Sequence, residues 1–163
     1  MIKLNHFSFS YIENRIILDD LNFHIQKGEK VGLIGCNGAG KSTLLKTIIG
    51  IENGQGELKV TDLTMNNQNL ASIRSHIGYV FQDSDNQLFM SSVYEDVAFG
   101  PMNEGLQGEK LEERINKALD LVHMQEKKRE KIYRLSGGEK KRAAIATVLS
   151  MRPDILLFDE PSV

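Results

Sequence analysis

Residues 30–50 constrain this chain more than any other part of it. Lys30 to Gly35 (KVGLIG) is a short, nearly all-apolar run, a glycine-rich loop follows, and a helical pattern then runs from about Lys41 to Ile49, with Gly50 as its stop. The loop, Gly35-Cys36-Asn37-Gly38-Ala39-Gly40-Lys41-Ser42, fits G-x-x-x-x-G-K-[ST] between a predicted strand and a predicted helix, which is the setting that gives the pattern its meaning. Glycines let successive backbone N–H groups turn inward around phosphate oxygens without side-chain clash. The helix N-terminus adds partial positive charge. Lys41 can reach the β- and γ-phosphates of a nucleotide, and the Ser42 hydroxyl can bind Mg²⁺. The bland alternative is a glycine-rich turn with an exposed lysine, and motif and setting together argue against it. Cys36 occupies a variable loop position, where a small tolerated side chain is a simpler reading than redox chemistry.

The apolar run before the loop is expected to be a strand buried on both faces, as in a parallel sheet. Ile2, Leu4, Phe7 and Phe9 alternate roughly, and Leu21, Phe23 and Ile25 more cleanly, as strands. Lys27-Gly28-Glu29 and Asn53 to Gly56 read as turns, and Leu58 to Val60 and Ile77 to Phe81 as strands. From about Val93 to Tyr133 the pattern is mainly helical, with Leu111, Ile115, Ala118, Leu119 and Val122 on one stripe. Another helix opens at Ser136 and runs to about Met151, ended by Arg152-Pro153. Asp154 to Asp159 (DILLFD) is a last buried strand. This order predicts an α/β class with a parallel sheet and a helical subdomain.

The last strand delivers Asp159 and Glu160 at its carboxyl end, where open parallel sheets bind ligands. A carboxylate there can hold Mg²⁺, and a second beside it can act as general base on a water. Acidic strand ends are common, and the phosphate loop is what raises this one above the background. Leu135-Ser136-Gly137-Gly138-Glu139 has two readings. Ser136 and Glu139 have capping-box spacing. Two glycines in the first helical turn nevertheless cost up to ~1 kcal/mol each against alanine, less at a helix end. They suit a helix start that something must approach closely, such as a phosphate. The chain thus carries two candidate anion-binding helix starts, at Gly40 and at Ser136.

Composition adds limits. The 163 residues suffice for one domain with a core, and 40% apolar with 26% charged residues is ordinary for a globular protein. A formal net charge of -2 exerts no general pull toward nucleic acid or anionic lipid. One cysteine cannot form an internal disulfide, which fits a reducing cytosol. No N-terminal signal core is visible, and no apolar run approaches the ~20 residues a membrane-spanning helix needs. Any membrane role is therefore expected through partner subunits. Eight of the 20 Lys and Arg fall between Lys127 and Arg142, but Glu126, Glu130 and Glu139 interleave with them. A salt-bridged helical surface is favoured there over a nucleic-acid patch. His6, His24, His76 and His123 have no metal-ligand spacing.

In this order, GCNGAGKS, LSGGE and ILLFDEP resemble the Walker A, signature and Walker B motifs of ABC ATPases, and the resemblance covers essentially the whole chain. It implies a P-loop NTPase (RecA-like) core with antiparallel N-terminal strands and an inserted helical subdomain. Residues 1–92 and 152–163 would form the core and 93–151 the subdomain. It implies head-to-tail pairing with a second ABC ATPase subunit, ATP being sandwiched between one Walker A loop and the other signature helix. Tyr11 resembles the aromatic that stacks on adenine, a strand-end surface tyrosine being its alternative, and Gln82 resembles the Q-loop glutamine. The implied nucleotide contacts are Tyr11, Gly35, Asn37, Gly38, Ala39, Gly40, Lys41, Ser42 and Thr43, with Ser136, Gly137, Gly138 and Glu139 of the signature. Ser42, Gln82 and Asp159 are the implied Mg²⁺ contacts, and Glu160 with Gln82 the catalytic pair. Glu139 stands where glutamine is usual.

Val80 to Asn103 (VFQDSDNQLFMSSVYEDVAFGPMN) resembles, more narrowly, the ATPases of energy-coupling-factor and cobalt/nickel importers. That implies a membrane coupling subunit and a substrate-binding membrane subunit as partners, and a place on the cytoplasmic face of the membrane. Phe89-Met90 is either a docking surface for a coupling helix or simple packing. Cobalt, nickel, biotin and other vitamins stay open as cargo. The resemblance also implies a D-loop and a strand ending in a switch histidine, and neither follows Glu160 here. A C-terminally truncated chain is expected, poorly soluble and slower in hydrolysis than a longer version. A nucleotide-binding module without effective hydrolysis and a soluble ABC protein outside transport are the competing readings.

Overall fold

The computed structural model describes residues 1–12 and 15–160 and divides into two compact units, Met1–Ile77 and Gly78–Val163. The chain's last three residues, among them Pro161 of the Walker B resemblance, lie outside the described residues.

The first unit is built on a four-stranded antiparallel sheet of order β2-β1-β3-β4, with β1 at Ile2–Ile12, β2 at Arg15–Ile25, β3 at Gln55–Val60 and β4 at Leu63–Thr64. Ile2 and Leu4 face Val60 and Leu58 on one side and Ile25 and Phe23 on the other. The apolar alternation of β1 slips by one residue between Leu4 and Phe7. The structure places a register shift there, and His6 adopts a φ of 47°. A bulge absorbs the extra residue and returns Phe7 and Phe9 to the buried face. Helix α1 (Lys41–Ile48) buries Leu44, Thr47 and Ile48. Its C-terminal carbonyls are met by Arg74 at the end of α2 (Leu70–Ser75), which donates from Nε to Ile49 O at 3.0 Å and from Nη2 to Gly50 O at 3.1 Å. A cation is well placed there against the helix dipole.

One expectation fails in this unit. Lys30 to Gly35 is not a buried strand: no strand is formed between Ile25 and Lys41, Val31 and Leu33 are exposed, and Ile34 is 95% exposed. A strand of a parallel sheet gets its hydrogen bonds and its two apolar contacts from neighbours on both sides. Among the described residues no strand pairs with this run.

The second unit holds a two-stranded parallel sheet of β5 (Ile77–Val80) and β6 (Ile155–Phe158), with helices α3 (Val93–Asn103), α4 (Gly108–Leu121) and α5 (Gly137–Ser150). The predicted stripe of α4 is the buried one: Leu111, Ile115, Ala118 and Leu119 pack with Val93, Val97, Met124, Ala143 and Ala144 into a single core. The α/β class is confirmed. β6 departs from its expectation on one face only. Leu157 is buried, whereas Leu156 and Phe158 point to the exposed side, because among the described residues β6 pairs with β5 alone.

Candidate functional site

The residues singled out in the sequence fall into two sets, one on each unit. On the first unit the glycine-rich loop leads into α1 through Gly40, the N-cap, with φ 88°. A Cβ at Gly40 would also stand 3.1 Å from Ile17 Cγ2 and 3.2 Å from Leu18 Cδ2, so the backbone favours glycine there and a side chain would crowd its neighbours. Lys41 folds back over the loop, its Nζ donating to Gly35 O and Cys36 O, each at 2.9 Å. The ammonium is thus held above the loop by bonds that phosphate oxygens can replace. Tyr11, 54% exposed and set edge-on to Phe9 at 4.8 Å, brings its hydroxyl to 3.4 Å from Thr43 Oγ1. The predicted aromatic therefore stands beside the first turn of α1, close to Ser42 and Thr43.

On the second unit, β6 ends in two carboxylates with different surroundings. Asp159 is 7% exposed, its N–H donates to Val80 O at 3.1 Å, and its Oδ2 accepts from the Tyr79 hydroxyl at 2.9 Å. Burial first, and then this hydrogen bond and the aspartate charge, push the Tyr79 phenol well above its usual range. Glu160 is exposed and has a left-handed φ of 48°, a strained conformation for a residue with a side chain. Gln82, just beyond β5, donates from Nε2 to Glu160 Oε2 at 2.6 Å. The buried carboxylate is fixed by the sheet, and the exposed one is oriented by an amide from the neighbouring strand end.

Of the two readings of the signature segment, the capping box is formed in the structure, and it leaves the phosphate reading open. Ser136 and Glu139 form a full capping box: the Glu139 carboxylate accepts from Ser136 N and Oγ, each at 2.8 Å, and Ser136 Oγ accepts from Glu139 N. Those bonds, with Lys127 at 3.4 Å, hold the Glu139 carboxyl down at about 2. The glycines do not answer to this cap. A Cβ at Gly137 would meet nothing within 4 Å, and one at Gly138 only the Arg142 guanidinium at 3.9 Å. The helix's own packing thus gives no reason for Gly137.

Two further features bear on the predicted surface residues. Phe89 is 66% exposed and packs edge-on to Phe99 at 5.0 Å. Its loop is pinned by the buried Asp96, whose Oδ1 accepts from Phe89 N and Met90 N. In the basic stretch, Lys127, Lys128, Arg134 and Lys140 each pair with a carboxylate, of Glu139, Glu112, Glu130 and Asp85 respectively. Tyr79, Gln87 and Lys141 were missed by the sequence reading, since a tyrosine in an apolar strand and a lysine in a charged run look unexceptional. The signal available for Lys141 was its place one turn after Gly137, on the same helix face.

Among the described residues no group of three or more His, Cys, Asp and Glu gathers as a metal cage. No helix is long and apolar enough to cross a membrane among those residues.

Comparison with known proteins agrees with this geometry. The sequence pattern of the ABC transporter family matches residues 18–163. The chain is 46% identical to an ABC transporter ATP-binding protein of Clostridium acetobutylicum, over 99% of this chain and 69% of that protein. It is 41% identical to the energy-coupling factor transporter ATP-binding protein EcfA of Methanococcus maripaludis, over 99% of this chain and 59% of that one. Among solved structures, cbiO1 of Clostridium perfringens, described as part of the ABC transporter complex cbiONQ, superposes with a TM-score of 0.90 at 36% identity, over 97% of this chain and 64% of that one. An ATP-binding cassette solved as a dimer in a post-hydrolysis state with ADP and phosphate has a TM-score of 0.85 at 29% identity, over 99% of this chain and 75% of that one. This chain spans about three fifths to two thirds of the length of most of these curated relatives.

Proposed function

The chain belongs to the ABC transporter family, and from that premise we propose that it binds and hydrolyses ATP to power import of a small substrate through membrane partner subunits. The observation that carries the hydrolytic part is the contact of Gln82 with Glu160 at 2.6 Å, beside the buried Asp159 at the end of β6. Glu160 is the general base for the attacking water, and Gln82 orients it. Lys41 and the backbone N–H groups of Gly38 to Ser42 bind the phosphates, and Tyr11 supports the adenine.

The donors fit Mg²⁺, a hard cation that takes oxygen ligands and is commonly held by one or two carboxylates together with substrate phosphates. The Ser42 hydroxyl, the Asp159 carboxylate and the Gln82 amide oxygen are its proposed contacts. When bound, the ion neutralises charge developing on the phosphates. Tyr79 keeps Asp159 oriented, and Glu160 holds the proton taken from water.

A second cassette is the proposed partner across the nucleotide, with Ser136, Gly137, Gly138 and Glu139 as the surface presented to it. The dimeric relative with ADP and phosphate bound supports this pairing. The resemblance to EcfA and cbiO1 supports an importer of metal ions or vitamins, on the cytoplasmic face of a membrane, with the exposed Phe89–Phe99 pair as docking surface for the coupling subunit.

The test is a phosphate-release assay on the full-length protein. Glu160→Gln should lower turnover by about 10²–10⁴-fold, the usual worth of a general base, while ATP binding persists and a closed dimer accumulates. Unchanged turnover would show that the base is misassigned.

A further inference from the structure

Helix α5 grips the loop that follows β5 at three points. Lys141 Nζ donates to Phe81 O at 2.8 Å and to Gln82 O at 3.1 Å. Gln87 Nε2 donates to Ala144 O at 2.6 Å and to Thr147 Oγ1 at 2.9 Å, while its Oε1 accepts from Phe81 N at 3.1 Å. Lys140 Nζ lies 2.7 Å from Asp85 Oδ1.

Of these contacts, the one through Lys141 is the least expected. Its residue is 6% exposed, and lysines are almost never buried without partners. Taking an ammonium out of water is costly, and methionine would fill the same space without that cost. What the ammonium adds is a pair of directed hydrogen bonds to two consecutive carbonyls, freed where β5 ends at Val80. The second carbonyl belongs to Gln82, whose side chain holds Glu160. Lys141 also lies one helical turn from Gly137, on the same face.

We propose that Lys141 is a positioning residue: it ties the signature helix to the main chain of Gln82 and so sets the amide that orients Glu160. This rests on the assignment of Glu160 and Gln82 made above. A movement of α5, whose first turn is offered to phosphate, is passed by two hydrogen bonds to the glutamine and by a third to the carboxylate. Both of these Lys141 hydrogen bonds go to main-chain carbonyls of the loop, and Lys141 is not among the proposed nucleotide contacts. Removing its donors should therefore change turnover rather than nucleotide affinity.

The experiment compares Lys141→Met, similar in volume without donors, with Lys141→Gln, whose amide offers two N–H donors for the same carbonyls. Both are made in the full-length protein. Amide hydrogen exchange is read over residues 81–87, alongside ATP turnover and ATP affinity. Lys141→Met should raise exchange in that segment at least about tenfold and lower kcat at least about tenfold, with ATP affinity within about twofold of wild type. Lys141→Gln should recover most of both losses. Unchanged exchange in Lys141→Met overturns the tether, whatever the turnover. Raised exchange with unchanged kcat overturns its action on Glu160, and equal impairment of the Met and Gln variants reduces Lys141 to packing. Glu160→Gln is measured in parallel. If that change leaves turnover intact, the assigned base is wrong, while the exchange data still decide the tether.

Discussion

The carboxylate of Glu139 accepts from both the backbone N–H and the hydroxyl of Ser136, each at 2.8 Å, so the signature helix is capped by its own third residue. The backbone bond first, then the hydroxyl, then Lys127 hold this carboxyl at about 2 against an ordinary 4.5. A depressed folded pKa contributes stability that is present above the unfolded value and is lost as pH falls through the folded one. The window here runs from about 4.5 down to about 2. Side-chain carboxyl NMR should find Glu139 titrating near the bottom of that window. Glu139→Gln should keep the helix start and flatten the acid limb of the stability curve. A midpoint near 4.5 would mean that the capping box is not formed in solution.

Two glycines should respond to alanine in opposite ways. Gly40→Ala forces a side chain into a left-handed conformation and against Ile17 and Leu18, so it should destabilise the fold by about 1–3 kcal/mol, the usual range for such strain. It should also abolish ATP binding. Gly137→Ala places its Cβ in open space at the start of α5, so stability should rise, by at most about 1 kcal/mol. Turnover should nevertheless fall, because the proposed approach of phosphate from a second cassette is obstructed. Urea melts and phosphate release on the same preparations check both. A Gly137→Ala protein with wild-type turnover would remove the reason offered for that glycine.

What was legible in the sequence was chemistry with a fixed local pattern. The helix start at Lys41, the cap at Ser136 and the strand end before Asp159-Glu160 each carry their geometry within a few residues, and the structure forms these three elements. The apolar run at Lys30 to Gly35 was misread because apolarity alone cannot say whether neighbours will pair with it. Ile34, at 95% exposure, shows what such a run does without them. Tyr79, Gln87 and Lys141 were invisible for a related reason. Their partners lie about 60 to 80 residues away in the chain, and nothing in the local spacing of a tyrosine, glutamine or lysine reveals a contact at that range. Asp96 was not singled out either, because its partners are the main-chain N–H groups of Phe89 and Met90, which no residue pattern marks.

Tyr79 should ionise late. Its phenol is raised above the ordinary 10 by burial first and then by Asp159. An acid with a raised folded pKa contributes stability below its unfolded value and loses it as pH climbs through the folded one, so this contact weakens only in strong alkali. Tyr94 is raised as well, by its hydrogen bond to Glu112 first, so in an ultraviolet titration wild type should show a larger late tyrosine component than Tyr79→Phe. The variant should lose about 1–2 kcal/mol, a hydrogen bond to a charged group discounted for partial exposure. An unchanged late component would place the bond elsewhere.

Asp96 combines a stabilising contact with a costly one. Its Oδ1 accepts from Phe89 N and Met90 N at 3.1 and 3.2 Å, whereas its buried Oδ2 has no hydrogen-bond partner among the described residues. Asp96→Ala removes the acceptor that pins the exposed Phe89 loop and should cost about 2 kcal/mol, within the range for leaving buried donors unmet. Burial raises the Asp96 carboxyl above its ordinary 3.8, against the pull of the two backbone bonds and with a further push from Glu95. A raised folded pKa means that the native state holds the proton longer than the unfolded chain. The aspartate's contribution is therefore full below 3.8 and declines as pH rises through the folded value. The gap in urea stability between wild type and Asp96→Ala should accordingly be larger in mild acid than at neutral pH. A gap that widens toward neutral pH would mean that the carboxylate is charged and paired in the folded protein, and that the loop is held by something other than a buried acid.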